Sequence, residues 1–432
     1  MKNFAMGRIY DIMKYMPAAA VLLAATGCSD ETDVISSAAE TLAVQTREVD
    51  GGSRAAAARD NTFMVLFWTA YDNLESVVDD SAWWSSPYLA ARAPQPVGFY
   101  EHMVFDTDHA YPKPETTPLY ATGYAPGRVL VPDETAGCRK LSAQVSDASD
   151  KGRYDFLSCD VWHEVYKGSQ SDPFSQEKNR LYFRHLSSKL LFYADRDRET
   201  MENRQYVRNV QVKNLQMSID GGTTWTPMYT PSSFEWQTLD DDDFTASYTE
   251  IIGAVRAVAG NEEAAGTRPK AGYKAAGSET FAGDDSGYVL KGSEADLVPI
   301  GGMRIDSCYV CNPIENGAVK KNQAIRLKMD ISAELSFSQD FPLPDGDGTV
   351  TDNLTFTREW KGATLSAIYK VDEDGIPQSA MVDEFKPGCE YRIHIRFNRT
   401  GVNLVARELP WNYGGIHYVT IPGGGNQNDT NE

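Results

Sequence analysis

Basic residues, histidine, cysteine and long apolar runs are all in short supply in this chain of 432 residues, and each shortage excludes something. Lys and Arg total 41 against 61 Asp and Glu, a formal charge of −20. Such a surface repels phosphate backbones, so no nucleic-acid partner is expected. No stretch of about 18 apolar residues occurs, so no membrane-spanning helix is expected either. The HExxH, GxSxG and P-loop motifs are absent, and the six histidines are scattered. "SQEK" (175–178) fits Ser-x-x-Lys, but no Lys-Thr-Gly accompanies it. These patterns give no catalytic residue, no metal-ligand set and no cofactor, so a protein that is not an enzyme is expected.

Cysteine is sparse too. Beyond Cys28 there are Cys138, Cys159, Cys308, Cys311 and Cys389, an odd number that leaves at least one thiol unpaired within the chain. Cys308 and Cys311 form a CxxC inside "RIDSCYVCNP", which reads as a strand ending at Pro313. A zinc site needs a second such pair, and a redox motif needs a helix start. Two strand residues three apart point to opposite faces, so small buried thiols are the preferred reading. Their disulfide status stays open.

What the chain does have begins at its N-terminus. Lys2, Arg8 and Lys14 against Asp11 make a basic segment of net +2, which leaves −22 for the rest. "MPAAAVLLAAT" (16–26) is a short apolar stretch that ends just before Gly27 and Cys28. Together they resemble a bacterial lipoprotein signal, in which Cys28 becomes the lipidated first residue and buries acyl methylenes in the outer membrane. "CSDE" (28–31) resembles the acidic export signal of Bacteroidales surface lipoproteins. Residues 28–60 then read as a flexible leader. Within it "ETLAVQTREV" (40–49) sets Leu42, Val44 and Thr46 on one side of a candidate strand.

Strand patterns dominate the remainder. "NTFMVLFWTAY" (61–71) is apolar on both faces, as a central strand is. "QAIRLKMDISAELSF" (323–337) alternates Ile325, Leu327, Met329 and Ile331 with Arg326, Lys328 and Asp330. "EYRIHIRFN" (390–398) alternates Tyr391, Ile393, Ile395 and Phe397 with Arg392, His394 and Arg396, the mark of half-buried antiparallel strands. In "VRNVQVKNLQMSID" (207–220) the apolar parity switches at Lys213–Asn214, which predicts a bulge or a strand boundary there. Turn clusters such as "PDGDG", "DEDG" and "NRTG" separate the strands, so β-sandwiches are expected. Residues 248–260 suit a short helix, and 261–279, poor in apolar residues, read as a long loop.

Three stretches invite sharper readings. "SIDGGTTW" (218–225) spells the Asp-box of propeller glycosidases, but a propeller repeats it once per blade and one copy occurs here. A tight hairpin, with Gly221 and Gly222 at positive φ, is the preferred reading. "PDGDGTVTD" (344–352) carries Asp345, Asp347 and Asp352 but lacks EF-hand spacing, so a solvated tip is preferred to a Ca²⁺ site. "SAWWSSPY" (81–88) places Trp83, Trp84 and Tyr88 in a candidate aromatic contact loop, with core packing as the plainer alternative.

Several segments, in order, resemble the fimbrillin family of Bacteroidales: "TTPLYATGYAPG" (116–127), "YDFLSCDVW" (154–162), "LYFRHLSSKLLFYA" (181–194) with Phe183, His185 and Lys189, "FKPGCEYRIHIRF" (385–397) and "LPWNYGG" (409–415). The resemblance implies an all-β chain of two tandem transthyretin-like antiparallel sandwiches behind the leader. The expected division is 1–27 signal, 28–60 leader, 61–235 and 236–422 domains, and 423–432 polar tail. It also implies a cell-surface pilus subunit, structural or accessory, that supports adhesion. Other subunits, or copies of itself, would join by strand exchange once an arginine-specific protease cuts the leader. Arg47, Arg54 and Arg59 are the candidate cleavage sites; Leu42, Val44 and Thr46 mark the displaced strand; Ile416, Tyr418 and Thr420 mark the donor. The expected location is the outer membrane through its lipid anchor, with incorporation into pili. The ligand stays open, and a surface glycan-binding lipoprotein is the rival reading, ahead of a glycosidase.

Overall fold

The computed structural model describes residues 44–48, 62–68, 88–92, 101–105, 111, 113–159, 161–162, 167–172, 181–196, 205–239, 270–283, 286–292, 297–299, 302–315, 318–319, 324–342, 349–371, 377–397 and 402–410. The described chain, compact within residues 40–432, is nearly all β; its one helical element there is a single 3₁₀ turn, Ala148–Asp150. Alternating apolar residues account for this. In Cys389–Phe397 the odd positions Tyr391, Ile393, Ile395 and Phe397 are buried, while Arg392, His394 and Arg396 are half-buried or exposed. A period of two buries one face and hydrates the other.

Among the described residues, two apolar cores organise the sheets. One lies between an eight-stranded sheet and a group of strands around Thr226–Leu239. It joins Leu66, Tyr120 and Tyr124 to Leu141, Phe156, Phe234 and Tyr273. The eight-stranded sheet runs Lys167–Gly168, Leu119–Ala125, Thr62–Trp68, Tyr88–Arg92, Glu101–Phe105, Val44–Glu48, Leu181–His185, Leu157–Cys159. Leu157–Cys159 also pairs back onto Leu119–Ala125 (Gly123↔Cys159, Ala125↔Leu157), so the sheet closes on itself. Closure removes free edges. Gly123 permits the close approach of Thr62–Trp68 to Leu119–Ala125, because a Cβ there would meet the Met64 carbonyl oxygen at 2.5 Å.

The other core lies between a six-stranded and a nine-stranded sheet. Leu190, Phe192, Tyr391, Ile393 and Ile395 come from the first, and Val207, Val212, Leu327, Met329 and Ile331 from the second. Ser188–Arg196 pairs in parallel with Cys389–Phe397 and antiparallel with Met303–Val310, so segments far apart in sequence share one sheet. Thr226–Leu239 is one uninterrupted strand that runs through position 235/236.

Two local features differ from, or add to, the sequence reading. Residues 270–279, expected to be loop, belong to the strand Lys270–Phe281, paired with Thr226–Leu239 from Lys270↔Leu239 to Phe281↔Met228. Its Lys, Ala and Gly are weak strand formers; the long partner and the burial of Tyr273 and Phe281 override that propensity. The bulge expected near Lys213–Asn214 is present as a register shift between Lys213 and Gln216, with Asn214 at φ 52°. A second shift, between Arg208 and Gln211, centres on Asn209, also at φ 52°. Asn tolerates the left-handed region better than other non-glycine residues do, and so marks both bulges.

Candidate functional site

Among the described residues, Val44–Glu48 is the part of the leader that enters the closed sheet. On one side it pairs antiparallel with Glu101–Phe105 (Val44↔Met103, Thr46↔Glu101); on the other it pairs in parallel with Leu181–His185 (Thr46↔Leu181, Arg47↔Tyr182, Glu48↔Phe183). Without it, those two neighbours become edges whose backbone groups lose their partners. Phe183, beside it, is fully buried and meets Phe63 edge-on at 5.0 Å. The candidate displaced strand is thus positioned by its backbone ladder, with Val44 and Thr46 inside it. Arg47 lies in the paired segment as well, opposite Tyr182. Cys28, Leu42, Arg54, Arg59, Trp83, Trp84, Ile416, Tyr418 and Thr420 lie outside the described residues. Tyr88 begins the strand Tyr88–Arg92 and pairs with Val65.

Segments singled out in the sequence meet one another through buried side chains. His185, at the end of the strand that flanks Val44–Glu48, is buried with its Nδ1 3.0 Å from Asp155 Oδ1. Lys189 is buried with Nζ 3.8 Å from Glu390, which also accepts from Arg392 Nε at 2.7 Å. The turn before Cys389–Phe397 docks on the same stretch. Gly388 N–H donates to the Ser187 carbonyl at 3.0 Å, and Ser188 Oγ donates to the Lys386 carbonyl at 2.6 Å. Asn312 clamps Phe385 from the other side, giving its amide to the carbonyl at 2.8 Å and accepting the N–H at 2.9 Å. Tyr391 stacks edge-on with Phe385 at 5.0 Å and accepts the Lys386 N–H at 2.9 Å. These groups hold one backbone segment to another.

Other candidate chemistry resolves into structure. The Asp-box is a hairpin turn: Asp220 Oδ1 accepts from Thr223 N–H at 3.0 Å and Thr224 N–H at 2.9 Å, and from Ser218 Oγ at 2.7 Å. Hydrogen bonds from the Thr224 backbone and hydroxyl, then Ser218, hold the Asp220 carboxyl well below the usual range. Gly221 and Gly222 sit at φ 75° and 95°, and Trp225 lies under Lys328 at 4.8 Å. The five described cysteines are free thiols. Burial pushes Cys308 up to about 12 and Cys138 up to about 11, which disfavours the reactive thiolate. Arg153 was not foreseen. From its turn it gives Nη1 to Asp306 at 2.8 Å and Nη2 to the Val289 carbonyl at 2.7 Å, and it covers the Tyr288 ring at 4.4 Å. An isolated Arg in "DKGRYD" carries no pattern that would announce this reach.

No protein-family model matches the chain, and neither does any curated protein. Solved structures do. The chain resembles cell adhesion and fimbrial proteins of Bacteroidales. A candidate cell adhesion protein of Bacteroides uniformis matches at 10% identity and TM-score 0.39, covering 86% of this chain and 98% of its own. A fimbrial protein of Bacteroides vulgatus matches at 11% and 0.32, covering 81% and 92%. The tip fimbrial protein Mfa3 of Porphyromonas gingivalis, with a C-terminal truncation, matches at 8% and 0.31, covering 86% and 99%.

Proposed function

We propose that this chain is a surface lipoprotein of the fimbrillin type, anchored through Cys28, which joins a pilus by strand exchange and supports adhesion. The observation that carries this is the place of Val44–Glu48: a short strand supplied by the leader, held between Glu101–Phe105 and Leu181–His185, completing a sheet otherwise closed. Its loss would open a slot lined by main-chain donors and acceptors and floored by Phe183. An incoming strand regains those hydrogen bonds and covers that floor, and the next copy presents its own slot. Residues 416–421, at the opposite end of the chain, are the proposed donor. Cleavage after Arg54 or Arg59 leaves the whole strand on the released piece, whereas cleavage after Arg47 leaves Glu48 behind.

The family-like segments lie in order along the chain, and Asp155, Phe183, His185, Lys189, Phe385 and Tyr391 within them are all buried, which supports the same reading. Two tandem sandwiches, one around each core, are proposed as its architecture. The test is mass spectrometry of the mature N-terminus in material sheared from the cell surface. The reading expects a new terminus after Arg54 or Arg59 in polymer and lipidated Cys28 in the fraction left in the membrane. Polymer whose subunits all retain residues 44–48 would overturn strand exchange at this slot.

A further inference from the structure

The outer face of the six-stranded sheet departs from the charge of the rest of the chain. Register lines up its solvent-side residues in rows across the strands. One row holds Arg392, Arg407, Tyr369 and Met381; the next holds Arg304, Tyr193, His394 and Val405; Arg396 follows beside Asp195. Four guanidiniums thus gather in a chain of net −20. Among the described residues, Asp195 accepts from Arg396 at 3.1 Å, and Glu390 accepts from Arg392 at 2.7 Å. Arg304 bonds only the Ser307 hydroxyl, at 3.1 Å, and Arg407 has no carboxylate partner among the described residues.

Arg392 and Arg407 stand directly opposite each other in an antiparallel pair, where like charges cost stability. Three exposed apolar side chains share the face: Val405 at 54%, Met381 at 46% and Tyr369 at 42% relative exposure. Between them the Tyr193 and His394 rings stack at 5.1 Å with an interplanar angle of 11°. Burial, then the field of Arg407, holds the His394 imidazole below its usual value, as a cationic surrounding requires.

We propose that this face binds an acidic polysaccharide, with its carboxylate or sulfate groups on Arg304, Arg392, Arg396 and Arg407 and its sugar rings against Tyr369, Val405 and the Tyr193–His394 pair. Three physical points favour this class. Guanidinium forks match carboxylate and sulfate oxygens in pairs. Arg392 and Arg396, four residues apart on one strand, span about 13 Å at about 3.3 Å per residue, a row suited to a repeating charge. Apolar and aromatic surface beside the charges suits the C–H faces of a pyranose, which an acidic peptide does not offer. At physiological salt, fields decay over about 8 Å, so this local excess of positive charge acts despite the acidic whole.

The inference stands apart from strand exchange, and monomeric protein tests it. Binding of the mature chain to polygalacturonate, heparin, neutral dextran and polyglutamate is measured by calorimetry at two salt concentrations. Expected are binding to one or both acidic polysaccharides that weakens with salt, and none to dextran. Arg392→Gln with Arg407→Gln should lower the affinity at least tenfold with the fold intact by circular dichroism; should that variant misfold, Arg396→Gln and Tyr369→Ala, both at exposed positions, take its place. No binding of either acidic polysaccharide, unchanged affinity in the folded variants, or polyglutamate bound as tightly as the polysaccharides would each overturn the proposal.

Discussion

At the scale of single residues, Arg153 shows how one side chain joins elements that are distant in sequence. Its guanidinium serves Asp306, the Ser307 carbonyl at 3.2 Å and the Val289 carbonyl, with its side chain 15% exposed. Arg153→Ala strips a charged partner from Asp306 and leaves two carbonyls unmet. We expect a loss of about 2–4 kcal/mol in denaturant unfolding, since removing one partner of a shielded charged pair costs more than the pair contributes. Arg153→Lys should recover only part of this, because an ammonium cannot reproduce the fork. None of this was legible in the sequence: the partners lie more than 130 positions away. The alternating Arg392, His394 and Arg396 were legible as a polar strand face. Their pairing with Arg407 was not, because register across Val402–Pro410 decides it.

At the scale of elements, short-range patterns were read well and long-range pairing was not. Strict alternation located Arg326–Pro342 and Cys389–Phe397, and the parity switch located the bulge at Asn214. Lys270–Phe281 escaped because its strand state comes from its partner rather than from its own residues. The hairpin at Ser218–Trp225 was legible from its glycines, and its chemistry gives a pH prediction. The folded Asp220 carboxyl titrates below its unfolded value near 3.9, so its contribution is full above that value and fades as pH falls through the folded one. Asp220→Asn should therefore be less stable than the parent at pH 7, and the gap should narrow as pH drops below about 4. Thermal melts of both proteins between pH 7 and pH 2.5 check this; a gap that stays constant or widens in acid would contradict it.

At the scale of the whole molecule, the proposed assembly rests on a sheet that Val44–Glu48 completes. The closed sheet hides its edges, and the strand that hides the last of them enters from the segment that carries Arg54 and Arg59. Within the leader, the apolar spacing of Val44 and Thr46 made a strand legible, but nothing in the sequence named Glu101–Phe105 and Leu181–His185 as its neighbours. The central claim is that Val44–Glu48 must leave before copies join. A disulfide across the paired positions Thr46 and Leu181 tests it most directly. The Thr46→Cys, Leu181→Cys chain is treated with an arginine-specific protease, oxidised or reduced, and followed by light scattering. The account predicts monomer while the strand is locked and polymer once reductant frees it; equal assembly of the locked and released forms would contradict it.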